Sequence, residues 1–244
     1  MSKKFELKIH DGPGRLGKLN GGLTPTVIDS ENFKIADSQS CPYNVEKEIA
    51  TWCVDETIKL TDESYDIGII QGGRYLDLRI RSLNLLKEKG FNGFLIGNGD
   101  ELLLHPRDLV DIIIGLKKQM NVSDYLVFPF CECSFIPLLV YMGVDGFLKD
   151  SADYYSYLNV LMTPTKSYDL NSYELYEDMS REDISKYNEN SIDFVLREVK
   201  AHIKNGTLRN LVEERSTTSP QNISALRIFD KNHKDYILEN TQLY

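Results

Sequence analysis

Residues 11–22 read DGPGRLGKLNGG, and Gly12, Gly17 and Lys18 in them stand at the spacing of a loop that wraps nucleotide phosphates. That chemistry needs a hydroxyl after the lysine to hold magnesium and a helix whose first N–H groups face the phosphates. Leu19 occupies the hydroxyl position, and Asn20-Gly21-Gly22 favours a turn over a helix. Phe5, Leu7 and Ile9 alternate as a strand does, so the stretch is expected to be a β-hairpin with a glycine-rich tip. A second candidate is Cys131-Glu132-Cys133, which could be half of a metal site. No matching pair of Cys or His lies nearby, and two core or loop thiols are expected instead.

The elements that would position such groups alternate. In VEKEIATWCVDETIKL, Val45, Ile49, Trp52 and Cys53 space as one helix face, with Asn44 placed to cap it and Glu46 and Glu48 in the first turn. DIGIIQGG, FNGFLIGNG, DYLVFPF and VDGFLKD read as short buried strands. LDLRIRSLNLLKEKG, HPRDLVDIIIGLKKQM and SFIPLLVYMG between them read as helices. This order predicts an α/β fold with a parallel sheet, whose strand-end loops carry ligands. From residue 171 the chain becomes charged, amphipathic and helical, with a break at Gly206. We therefore divide it into a barrel-type part, 1–170, and a C-terminal helical segment, 171–244.

A net charge of −9 argues against a free-standing nucleic-acid binder, and only local basic groups stand out: Lys3, Lys4, Lys8, Arg15 and Lys18, then Arg74, Arg79 and Arg81. No run of 18 apolar residues suggests a membrane span, and MSKKFELKIHDG lacks the apolar stretch of a signal peptide. Four cysteines without a secretion signal are expected to be reduced thiols in the cytoplasm.

Several of these pieces together resemble the tRNA-guanine transglycosylase superfamily, especially its archaeal branch, which makes archaeosine in tRNA and includes archaeosine synthase. The resemblance rests on DGPGRLGKL with Thr24-Pro25, on IIQGGRYLDLRIRS followed by GFNGFLIGN, on GVDGF with LMTPT, and on VKAHIKNGTLRNLVEERSTTSPQNISALRIF. It implies a (β/α)8 TIM-type barrel that exchanges guanine for a 7-deazaguanine base. It also implies that Asp37, Gln71, Gly72 and Gly73 read the edge of that base, since a carboxylate accepts two N–H donors and an amide offers one donor and one acceptor.

Three departures from the family pattern bear on activity. Its general-base motif has only DSENF, residues 29–33, as a counterpart. This lies so close to ADSQSCPYN that a block holding the first barrel strands is missing, and Asp29 is expected to be a loop residue. An incomplete or modified barrel of five or six parallel strands follows, with open edges and an uncovered inner face that a second chain would bury. The nucleophile's position is occupied by Leu148, which has no lone pair to attack a ribose carbon, while Asp150 lies two residues on. The family's zinc ligands should fall near YELYEDMSREDIS, where no cysteine stands, so no metal and no cofactor are expected.

Three readings follow. In the first, the chain is a degenerate subunit or paralogue of archaeosine modification that binds a partner, tRNA or the base and performs no base exchange by itself. In the second, it is an active transglycosylase using Asp150, with Asp29 or Asp37 as base. In the third, it binds a free 7-deazaguanine. The expected partner is a second copy or a transglycosylase-like or archaeosine synthase subunit, with tRNA reached through that partner.

Overall fold

The computed structural model describes residues 4–175 and 179–241; Tyr176, Glu177 and Asp178, in the stretch expected to lack the family's zinc ligands, lie outside the described residues. The opening stretch is the expected hairpin. β1 (Glu6–Asp11) turns through Gly12-Pro13 into antiparallel β2 (Gly14–Leu19), and β3 (Gly22–Leu23) returns after Asn20-Gly21. Its glycines make room for neighbours. A methyl on Gly14 would lie 2.3 Å from Leu208, and one on Gly17 2.5 Å from the Phe5 ring.

β4 (Thr26–Ile28) follows, then α1 (Lys47–Leu60), β5 (Ile67–Ile70), α2 (Leu76–Glu88), β6 (Gly93–Ile96), α3 (Gly99–Leu103), α4 (Pro106–Lys117) and β7 (Tyr125–Phe128). A single tight turn at Cys133–Phe135 leads into α5 (Ile136–Tyr141), β8 (Gly146–Leu148) and α6 (Ser151–Tyr157). A small antiparallel pair, β9 (Val160–Met162) and β10 (Ser167–Asp169), precedes four helices: α7 (Arg181–Asn205), α8 (Leu208–Ser216), α9 (Pro220–Asn232) and α10 (Lys234–Asn240). The fold is mixed α/β on a five-stranded parallel sheet of order β4-β8-β7-β6-β5, and the described residues form no closed eight-stranded barrel.

The alternation of strand side chains gives this sheet two faces. Ile70, Phe94, Ile96, Leu126, Phe128 and Phe147 join the large core shared with the helices. Ile67, Leu95, Tyr125, Val127 and Ile28 face the other way, where Phe5 and Leu19 of the hairpin region and Phe33 pack on them. This corrects the expectation of an uncovered inner face, because the chain covers it with its own side chains. β4 lies at one edge beside β8, while Ile35 bridges Ile67 at the opposite edge, so residues 29–34 carry the chain from edge to edge and insert Phe33. The enclosed space is tight, and Gly93 has no room for a side chain because a methyl there would meet the Tyr125 ring at 2.3 Å.

The first helix also departs from expectation. α1 begins at Lys47 with Glu46, not Asn44, at its cap position and no side-chain cap bond. Its buried face is Ala50, Cys53, Val54 and Thr57, and of the apolar face read from sequence Ile49 and Trp52 are about half exposed. The side turned to α2 carries the smaller residues, which lets the two helices approach closely. α7 starts with a capping box in which Ser180 and Asp183 satisfy each other's backbone N–H groups, and it ends at Gly206 in the left-handed region, φ 67°. No helix among the described residues is long and apolar enough to cross a membrane.

Two contacts of the hairpin hold the ensemble together. Asp11 accepts a hydrogen bond from the backbone N–H of Leu208 at 2.7 Å, capping α8 from across the molecule. Arg15 grips both oxygens of fully buried Asp145 at 3.0 and 2.6 Å. The same guanidinium donates to the carbonyls of Val122 and Asp124 at 3.0 and 2.8 Å, and it lies 4.4 Å from the Phe5 ring centroid. Asp145 also accepts from the Leu126 N–H at 2.9 Å, so one carboxylate ties the hairpin to the starts of β7 and β8. Buried Lys117 lies 3.8 Å away, and burial, with Arg15 beside it, depresses its ammonium from 10.5 to about 7.

Replacing Asp145 by Ala strands the Arg15 cation and is expected to cost about 3–5 kcal/mol, read as a lower urea midpoint. Lys117 gives a pH signature. Its folded pKa lies below its unfolded one, so the unfolded state binds more protons between about pH 7 and 10.5. Stability of the natural chain should therefore rise with pH through that window relative to Lys117→Met, in urea titrations at successive pH values.

Candidate functional site

The carboxyl ends of the parallel strands are where an α/β sheet offers side chains to a ligand. At the end of β5, Gln71 is 5% exposed. Its backbone N–H donates to Ser82 Oγ at 3.2 Å, and its Nε2 donates to the Gln39 carbonyl at 3.1 Å. Its Oε1 is buried and accepts no hydrogen bond among the described residues. Gly97, at the end of β6, packs against that oxygen, and a methyl there would lie 2.8 Å from Oε1 and 3.0 Å from the Ile70 carbonyl. Next to it Asn98 sits in the left-handed region, φ 57°, and donates Nδ2 to Cys41 O at 2.9 Å and to Glu101 at 2.8 Å. Its Oδ1 is likewise buried without a donor. Two amide oxygens thus stand unpaired at the ends of adjacent strands, and each could accept an N–H from a ligand.

Gly72 and Gly73 build the turn that follows. Gly73 has φ 54°, and a methyl on it would sit 2.9 Å from the Tyr43 carbonyl, while one on Gly72 would sit 2.8 Å from the Arg79 backbone nitrogen. Arg79 from α2 fills the space beneath. It is fully buried and donates to the Gly73 carbonyl at 2.7 Å and the Gly97 carbonyl at 2.9 Å, pinning both strand-end turns with one guanidinium. Burial lowers its pKa to about 10, which leaves it a cation at neutral pH. Above it Tyr43 donates to Asp108 and stacks on His105, with ring centroids 4.7 Å apart.

Asp37 lies on the segment that runs beside β5, where the Ala36 N–H donates to the Ile67 carbonyl at 2.9 Å. Its carboxylate is exposed and accepts from Tyr65 Oη at 3.0 Å. Asp37, Gln71, Gly72 and Gly73 are therefore gathered around one strand, with the Gln39–Gln71 bond linking the two segments. Asp150 is not with them. It is exposed at the start of α6, beyond β8, and β6 and β7 separate that strand from β5. Leu148 is partly buried against the inner-face cluster.

Asp29 closes the turn after β4. Its carboxylate accepts the Glu31 N–H at 3.0 Å and pairs with Lys149 at 3.2 Å, and these contacts, the backbone bond foremost, hold its pKa below the usual carboxylate range. All four cysteines are buried and unbridged, and Cys131 and Cys133 belong to the main core. Among the described residues no three His, Cys, Asp or Glu side chains gather as metal ligands. Sequence reasoning passed over Arg79 as a site residue and Asn98 altogether; the signal for the second was Gly97-Asn98-Gly99 directly after an apolar strand.

A family model for queuine tRNA-ribosyltransferase matches residues 33–189, well over half of the chain, and the chain belongs to that family. Among curated proteins it is similar to archaeosine synthase of Methanocaldococcus jannaschii, 25% identical over 193 residues that make up 78% of this chain and 31% of that protein. It is also similar to archaeosine synthase subunit alpha of Thermococcus kodakarensis, 23% identical over 264 residues, 98% of this chain and 43% of the other. A third relative, tRNA-guanine(15) transglycosylase of Thermococcus onnurineus, is 30% identical over 196 residues, 70% of this chain and 33% of its own. The chain spans between about a third and under half of the length of these relatives.

Gly97→Ala should drive a methyl into the Gln71 amide and the Ile70 carbonyl. A loss of about 1–3 kcal/mol is expected for such overpacking, seen as a melting temperature lower by several degrees.

Proposed function

We propose that the chain serves 7-deazaguanine (archaeosine) modification of tRNA as a catalytically degenerate, transglycosylase-like subunit or paralogue that binds a partner, tRNA or the deazaguanine base. The observation that carries this reading is Leu148. At the end of β8, where the family resemblance places a nucleophilic Asp, an aliphatic side chain packs into the inner-face cluster. The remaining acids are poorly suited to replace it. Asp150 stands apart from the Gln71 turn, and Asp29, with its lowered pKa and its Lys149 partner, is a weak base.

Base recognition falls to Asp37, Gln71, Gly72 and Gly73. The carboxylate would accept N–H donors of a guanine-like edge, the unpaired Gln71 oxygen would accept another, and the two glycines let the backbone approach closely. Residues 1–170 form the recognition part, and 171–244 act as its helical support. The name of the Thermococcus kodakarensis relative includes the word subunit, which supports an assembly with a transglycosylase-like or archaeosine synthase chain, or a second copy of this one.

Two measurements test the reading. Purified chain incubated with guanine-charged tRNA and labelled 7-deazaguanine base is expected to incorporate no label. Incorporation that vanishes in Asp150→Asn would overturn the degenerate assignment. Calorimetry with free 7-deazaguanine bases should show binding that weakens about tenfold or more in Gln71→Ala, since an amide that loses its partner costs about 1–3 kcal/mol.

A further inference from the structure

The last turns of α7 carry Arg197, Lys200 and Lys204, spaced three and four residues apart and so aligned on one stripe. With Ala201 and Asn205 they line a cleft of about 340 Å3 whose opposite wall is Leu23 of β3. Lys18, on the strand paired with β3, is the cross-strand neighbour of Leu23 and is exposed, while Glu6 across from it is taken by Lys8. Arg197 has one exposed partner, Asp193 at 3.1 Å, a pair of little worth in water. Among the described residues Lys200 and Lys204 make no ion pair. Lys200 is half-buried, and burial pushes its pKa down, aided by Lys204 and Arg197 and opposed by Asp193.

Cations in a last helical turn complement the helix dipole, and that accounts for Lys204. It does not account for Lys200, which is partly desolvated between Asp193 and two like charges on a chain of net charge −9. Phe194 flanks the stripe, 48% exposed, on the side shared with Ala201 seven residues later. Cations that Asp193 offsets only weakly, beside an exposed ring, match a polyanion that also carries planar bases. An acidic peptide or inorganic phosphate would leave the ring without a function.

We propose that this face of α7 binds a single-stranded RNA segment, with Arg197, Lys200 and Lys204 on successive phosphates and Phe194 stacked on a base. The inference rests on the reading of the chain as a tRNA-modification protein, and it gives the chain an RNA contact of its own, away from the strand ends.

The test is fluorescence anisotropy of the full chain with labelled oligo(U) and with a tRNA transcript across a KCl series, beside calorimetry with a free deazaguanine base. Arg197→Gln/Lys200→Gln/Lys204→Gln keeps good helix formers and is expected to fold as the natural chain does, checked by thermal melting. It should bind RNA about tenfold more weakly. The slope of log affinity against log salt should be smaller by about 2, at ~0.7 per single-stranded phosphate. Phe194→Ala should weaken binding at least about fivefold with the slope unchanged. Lys186→Gln/Lys231→Gln, exposed lysines elsewhere, should change neither.

An unchanged slope in the triple variant overturns the proposal, as does the absence of RNA binding by the natural chain at low salt up to about 100 μM. Equal competition by poly-glutamate would assign the face to an acidic protein and overturn it as well. Deazaguanine binding that persists while the RNA result fails would sink this face alone. Loss of both in the natural chain would remove the tRNA-modification reading with it.

Discussion

The bidentate pair between Arg15 and Asp145 is the interaction on which the remainder of this architecture leans. Asp145 is buried without access to water, at the start of the strand that pairs with β4, and a carboxylate there is tolerable only because a guanidinium and a backbone N–H saturate it. Arg15 reaches it only if the hairpin lies flat across that end of the sheet, which in turn carries Phe5 and Leu19 onto the inner face. Gly14 and Gly17 are the steric conditions for that placement, since each abuts a side chain that any methyl would strike. Residues that read locally as a phosphate loop are thus the parts of a clamp.

A five-stranded sheet leaves a narrow inner face, and the molecule fills it. Tyr125 over Gly93, Phe33 on its short crossing from edge to edge, and the hairpin rings occupy the space. The proposed recognition lies at the rim, where strand ends stop and amide oxygens of Gln71 and Asn98 lack donors among the described residues. Arg79 explains how such a rim stays ordered. One buried cation, held by carbonyls, fixes the turns after two strands at once. The proposed loss of catalysis and the proposed recognition therefore fall on different strands, β8 for the first and β5 for the second.

Much of this was legible in the sequence. The hairpin followed from Asn20-Gly21 and the alternation before it, and the parallel sheet from apolar runs separated by amphipathic ones. Leu148 needed only its neighbours to be noticed. What stayed hidden depends on residues far apart in the chain. Nothing near Arg15 points to Asp145, 130 residues on, and Phe33 sat inside a stretch that drew attention as a catalytic look-alike. The buried face of α1 was misassigned because its large side chains, Ile49 and Trp52, outscored the small ones that a close helix neighbour requires. Asn98 went unseen because a left-handed asparagine between glycines looks like any turn.

The cap that Asp11 places on the first turn of α8 joins positions 197 residues apart. The hairpin is synthesised before its principal partners, Asp145 and then Leu208. The strands between can pair as they appear, but the hairpin has no permanent seat until Asp145 and Leu208 have followed. Phe5 and Leu19 therefore wait for their final cover until those residues have been made, and the order of synthesis leaves this apolar pair open for that interval.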